Sequence, residues 1–119
     1  MKTLRTSLLA ITLTLVAGGV QAFTAVDRED GFLGLVTGKE LTRLGITLIV
    51  TPDGAITGRA FGRDVTGRWD WSDDGFFCRE MRFGQRPIPR NCQQVLVNGA
   101  TLRFIADRGT GDTADLRLK

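Results

Sequence analysis

The sequence predicts a mainly β protein: a six-stranded antiparallel meander, partly closed into a small barrel, with one short N-terminal helix. Three observations predict it. From Leu44 onward apolar residues recur with a period of two. Turn residues interrupt that alternation at Pro52-Asp53-Gly54, Asp73-Asp74-Gly75 and Asn98-Gly99. The chain's two cysteines, Cys78 and Cys92, flank a looser hairpin between neighbouring strands.

Residues 1–22 read as a signal peptide. Lys2 and Arg5 give a positive start, residues 8–16 form a short apolar run, and Val20-Gln21-Ala22 resembles a small-residue cleavage site. The apolar run is shorter than the ~20 residues needed to span a bilayer. Residues 23–119 are then one β-rich domain, placed in the periplasm or secreted. The precursor's formal charge of +3 falls to near +1 once Lys2 and Arg5 leave. A balance so close to neutral gives no case for nucleic acid. In an exported chain this small, Cys78 and Cys92 most simply form one disulfide, closing a loop of about 15 residues.

Taken in order, residues 23–26 are an extended lead-in. Asp27 or Asp30 is placed to cap a helix of about ten residues carrying Phe32, Leu33, Leu35 and Val36, with Gly38 as its stop. Gly31 and Gly34 each weaken it by up to ~1 kcal/mol relative to Ala, so it holds only when packed. A three-residue loop at Pro52-Asp53-Gly54 sets Val50 opposite Ile56, Leu48 opposite Gly58 and Ile46 opposite Ala60. The same rule at Asp73-Asp74-Gly75 sets Trp71 opposite Phe77, Trp69 opposite Arg79, and Gly67 and Val65 opposite Met81 and Phe83. Residues 84–91, with Pro87 and Pro89, read as a loose connection. The inner row resumes at Gln93, Val95 and Val97. Asn98-Gly99 as a two-residue turn pairs Val97 with Ala100, Val95 with Leu102 and Gln93 with Phe104. After a loop from residue 107 to 113, a last strand carries Ala114, Leu116 and Leu118. Each strand has one apolar face that must be buried, so the sheet is expected to curl around Phe32, Leu35 and Val36 as a plug.

Arg79 breaks the inner apolar row, between Phe77 and Met81, opposite Trp69 and diagonal to Gln93. A buried guanidinium is costly unless paired. It is either a rim arginine stacked on Trp69 and bonded to carbonyls or an aspartate, or an anchor for the acid group of a ligand lying against Trp69 and Trp71. Arg82, Arg86 and Arg90 gather around the Pro-containing connection, as a basic lip for an acidic partner or as a solvated edge. The tryptophans serve either the core or a ligand platform. The chain has no histidine, so neither a serine nucleophile with its base nor a zinc set is in sight. Gly109-x-Gly111-x-x-Ala114 matches the dinucleotide-binding string, but five residues remain after it and they alternate as a strand, so the glycines serve a loop.

On Phe32-x-x-Leu35-Val36-x-Gly38-Lys39-x-Leu41, Pro52-Asp53-Gly54-x-Ile56-x-Gly58, Val65-Thr66-Gly67-x-Trp69-x-Trp71, Gly75-x-Phe77-Cys78-Arg79, Cys92-Gln93-x-Val95, and Leu102-Arg103-Phe104 with Asp107-x-Gly109-x-Gly111-Asp112, the chain resembles a group of short exported alphaproteobacterial proteins of unknown function. Such proteins sometimes carry the label dihydrodipicolinate reductase. That label implies a cytoplasmic, nicotinamide-dependent enzyme with a doubly wound domain, and this chain departs from it in length, in its leader and in its lack of a phosphate-binding turn. The expected function is a non-catalytic exported module, without cofactor or metal, binding a small anionic ligand through Arg79, Trp69, Trp71 and Gln93. The alternative is an envelope-interaction or inhibitor protein acting through Arg82, Arg86 and Arg90. Nucleic acid is not an expected partner, nor is stable membrane insertion after cleavage.

Overall fold

Alternation and turn chemistry build the scaffold one hairpin at a time. In chain order the elements are β1 (Thr24–Val26), α1 (Glu29–Val36), β2 (Leu41–Arg43), β3 (Ile46–Val50), β4 (Ala55–Ala60), β5 (Arg63–Trp71), β6 (Phe77–Phe83), β7 (Arg86–Asn98), β8 (Thr101–Ile105), α2 (Ala106–Gly109) and β9 (Thr113–Leu118). The computed structural model describes residues 22–119, together with residue 3 and residues 9–12. The leader expectation therefore falls almost wholly outside the described residues. Among them, every strand and helix lies within residues 24–118. No helix among the described residues is long and apolar enough to cross a membrane.

The β3–β4 and β5–β6 hairpins have the expected register. Gly54 takes φ +89°, which the three-residue loop requires, and Val50, Leu48 and Ile46 face Ile56, Gly58 and Ala60. Across β5 and β6, Trp71 faces Phe77, Trp69 faces Arg79, Gly67 faces Met81 and Val65 faces Phe83. The Asn98-Gly99 expectation is corrected by two residues: Asn98 stays in the ladder opposite Thr101, Gly99-Ala100 is the loop, and Val97 and Val95 face Leu102 and Phe104. A two-residue slip keeps every side chain on its face, so the apolar pattern fits both registers.

The barrel is closed, with eight antiparallel strands in the ring, rather than a half-open meander of six. The ring runs β7-β6-β5-β4-β3-β2-β9-β8 and returns to β7, and β1 adds to β7 from outside the ring. The segments marked by alternation form seven strands, β3 to β9, one more than the six expected, and the three-residue β2 is the eighth. β2 bridges β3 and β9, with Leu41 opposite both Leu48 and Leu118. β7 runs unbroken through Pro87 and Pro89, which were expected in a loop. Its first half pairs with β6 on one edge, and its second half with β1 and β8. Proline removes a ladder donor, so it is tolerated where one edge of the strand has no partner. A bulge between Arg79 and Met81 shifts the β6–β7 register there.

An eight-stranded barrel has an interior just wide enough to be filled by side chains or to hold one small ligand. Here one end is filled. Helix α1 is shorter than expected, starts after Arg28 without a side-chain cap from either aspartate, and has two glycines. It is too short to persist alone. Packing holds it: Phe32 is fully buried, with ring centroids 5.5 Å from Trp69, 5.2 Å from Trp71 and 5.0 Å from Phe77. Val36 is buried beside it, and Leu33 and Leu35 are partly covered. Trp69 Nε1 donates to Thr51 O at 2.9 Å, joining the plug to the β3–β4 turn.

Cys78 and Cys92 face one another across β6 and β7 and are joined as a disulfide, as expected. Replacing both by serine is expected to lower unfolding free energy by about 3 kcal/mol, from the loop of about 15 residues that the bond closes. Urea unfolding of the serine pair against the parent measures this, and an unchanged midpoint would contradict it.

Candidate functional site

The end of the barrel opposite the plug is hollow. A cavity of about 160 Å³ lies between the walls, lined by Leu48, Val50 and Ile56 from β3 and β4, Arg79 and Met81 from β6, and Gln93 from β7. Phe77 and Phe104 form its floor toward the plug, and Leu41, Ala114 and Leu116 complete the far wall. The volume is below the ~300 Å³ of a site for a drug-sized ligand. It is close to the roughly 150 Å³ of an apolar cavity that takes up benzene.

Arg79 is the cation in this apolar chamber. Alternation along β6 sends Phe77, Arg79, Met81 and Phe83 inward, while Cys78 takes the other face. The Arg79 Nη1 donates to Pro89 O at 2.9 Å, across the β6–β7 bulge. Among the described residues no carboxylate pairs with it. Burial pulls its pKa below the ordinary arginine value, with no neighbouring acid pulling the other way. Gln93, two registers from Arg79 and opposite Phe77, lines the same chamber and makes no side-chain hydrogen bond among the described residues. One cation, one free amide and apolar walls suit a small molecule with an acid head and an apolar body.

The other expected site residues separate from this pair. Trp69 and Trp71 face inward, but they surround Phe32 at the plugged end and neither lines the chamber. The Trp71 Nε1 is buried without an acceptor. The three arginines of the expected lip do not converge. Arg90 lies on the outer face in a two-bond pair with Asp70, at 2.8 and 2.9 Å, which lowers the Asp70 pKa and raises that of Arg90. Arg82 donates to Gln85 O at 3.2 Å, and Arg86 is exposed at the start of β7. Of the residues on the cavity wall, Leu48, Ile56 and Met81 follow from the hairpin registers. Leu41, Ala114 and Leu116 follow only from closure through β2, which a three-residue strand does not advertise.

Beyond Met81 the chamber continues into an open apolar mouth of about 240 Å³, which shares Leu48 and Met81 with it and adds Ile46, Phe61, Phe83 and Ile88. The Gly109–Ala114 string lies on α2 and the start of β9, with no helix opening on it, so it forms a link between strands and not a phosphate turn.

Fold and site together define a single eight-stranded antiparallel barrel, plugged by a helix at one end and hollow around an arginine at the other. Neither protein-family models, nor curated proteins, nor solved structures give a match to this chain.

Proposed function

We propose that this is an exported, non-catalytic binding module of the periplasm or the extracellular space, which holds a small apolar monocarboxylate head-inward in the barrel. The acid group bonds Arg79 and Gln93, the first part of the body fills the chamber against Leu48, Ile56 and Met81, and any longer tail leaves through the mouth past Phe83. One observation carries this: Arg79 sits in an apolar chamber with a backbone carbonyl as its partner and no acid. The guanidinium is half-buried, and beyond its one bond to Pro89 O its remaining donors are left for the acid group of a ligand. The disulfide adds support for an oxidising compartment.

The test is calorimetric titration of octanoate into residues 23–119, with octanamide as the uncharged comparison. Octanoate is expected to bind and octanamide to bind far less. A bond to a charged group contributes about 1.5–3 kcal/mol, so Arg79→Met is expected to weaken octanoate roughly ten- to hundredfold while stability stays level or rises. Equal binding by Arg79→Met, or loss of the fold in that variant, would overturn the proposal and leave Arg79 as a strut for the β6–β7 bulge.

A further inference from the structure

The charged side chains divide along the barrel. The turns at the plugged end and helix α1 carry Asp27, Glu29, Asp30, Glu40, Asp53, Asp73 and Asp74, all exposed, against the cations Arg28, which pairs with Asp30, and Lys39. The turns at the open end carry Arg43, Arg63, Arg82 and Arg86, also exposed. Asp64, at the foot of the β4–β5 turn, is bound by Arg59 at 2.9 Å. The β8–β9 link with α2 is held back, Asp107 against Asn91 and Arg108 against Asp74. A domain that is nearly neutral as a whole is therefore basic at its mouth and acidic at its base.

The same mouth carries the most exposed large apolar side chains of the barrel. Leu44, on the β2–β3 turn, is 94% exposed, and Phe61, on the β4–β5 turn, is 71% exposed. Phe61 has φ +50°, an unusual and costly conformation for an aromatic residue. Its ring lies over Gly45, where a Cβ would come within 2.6 Å of it, and its backbone N–H donates to Gly45 O at 2.8 Å. The two turns are thus fastened together with their apolar tips pointing out. Strain spent on exposing an aromatic ring is hard to explain by folding alone.

We propose that the open end of the barrel docks on an anionic lipid bilayer. Leu44 and Phe61 enter the headgroup layer, and Arg43, Arg63, Arg82 and Arg86 face lipid phosphates. Charge complementarity selects an anionic surface, and the protruding tips select a bilayer over an acidic protein. A bilayer accepts separate protrusions wherever they fall, whereas a protein surface needs a matching pocket for each. Docked this way, the mouth opens onto the membrane and the acidic base faces away. The inference stands on the mouth alone and does not depend on what the chamber holds.

Co-sedimentation of residues 23–119 with phosphatidylcholine vesicles, with and without phosphatidylglycerol, tests it. Binding is expected to the phosphatidylglycerol vesicles and to weaken as salt rises. Leu44→Ser with Phe61→Asn is expected to lower the partition on the order of tenfold, and each of Arg63→Gln and Arg86→Gln on the order of fivefold. These side chains are exposed, and Asn accepts the φ of position 61, so thermal unfolding should be little changed. Asp73→Asn, at the far end, should leave the partition as it was. The proposal is overturned by equal binding to both kinds of vesicle, by full binding of the Leu44→Ser, Phe61→Asn variant, or by capture on polyglutamate with none on vesicles.

Discussion

Phe32→Ala is expected to lower unfolding free energy by about 3–5 kcal/mol, the range for emptying the site of a buried aromatic residue. Domains of this kind hold about 5–15 kcal/mol in total, so the variant stands near the limit of folding. The size of the effect follows from what Phe32 connects. Its ring meets both tryptophans and Phe77, and lies 6.5 Å edge-on from Phe104, so one side chain joins β5, β6 and β8. Helix α1 has no side-chain N-cap and has glycines at 31 and 34, so without Phe32 little keeps it docked. Urea unfolding followed by tryptophan fluorescence is the direct measurement, since both tryptophans sit at the plug. A loss below about 1 kcal/mol would show that the barrel does not need its plug.

The plug was legible in the sequence, and the reason separates what sequence can show from what it cannot. Phe32 and Val36 stand one helical turn apart, and the glycines beside them weaken an isolated helix, so burial was the remaining explanation. The hairpin registers were legible for a similar reason. Gly54 and Gly75 fix two turns by chemistry, and the alternation on either side fixes the same registers independently. Closure was not legible. It depends on Leu41 and Thr42 pairing with Leu118 and Arg117, far along the chain, in a strand too short to show a period. Pro87 and Pro89 pointed away from a strand because their missing donors matter only if both edges are paired, and sequence does not show which edge is free. Arg79 and Gln93 could be read as a break in the inner row. The walls that make their surroundings a chamber come from the closed ring, so the sequence placed Trp69, opposite Arg79, and Trp71 in the site although neither lines the chamber.

Gly58→Ala is expected to cost about 2–6 kcal/mol, from backbone strain and overpacking acting together. The sequence showed Gly58 as the small residue opposite Leu48, but not why it must be small. In the barrel it has φ +155°, and a Cβ would fall 2.1 Å from Thr47 O and 2.9 Å from Leu48 Cα. Those atoms are backbone of the paired strand, so no side chain can turn aside to make room. Either β3 and β4 separate or position 58 changes conformation, and each breaks the ladder that holds Leu48 and Ile56 against the chamber. The variant should therefore lose octanoate binding along with stability, whereas Arg79→Met loses binding alone. Gly34→Ala is the matched comparison: its Cβ meets nothing within 4 Å, and it should raise stability by up to ~1 kcal/mol through helix propensity. Urea midpoints of the two alanine variants settle the matter, and a Gly58→Ala midpoint equal to the parent's would mean that β3 and β4 are not packed as closely as described.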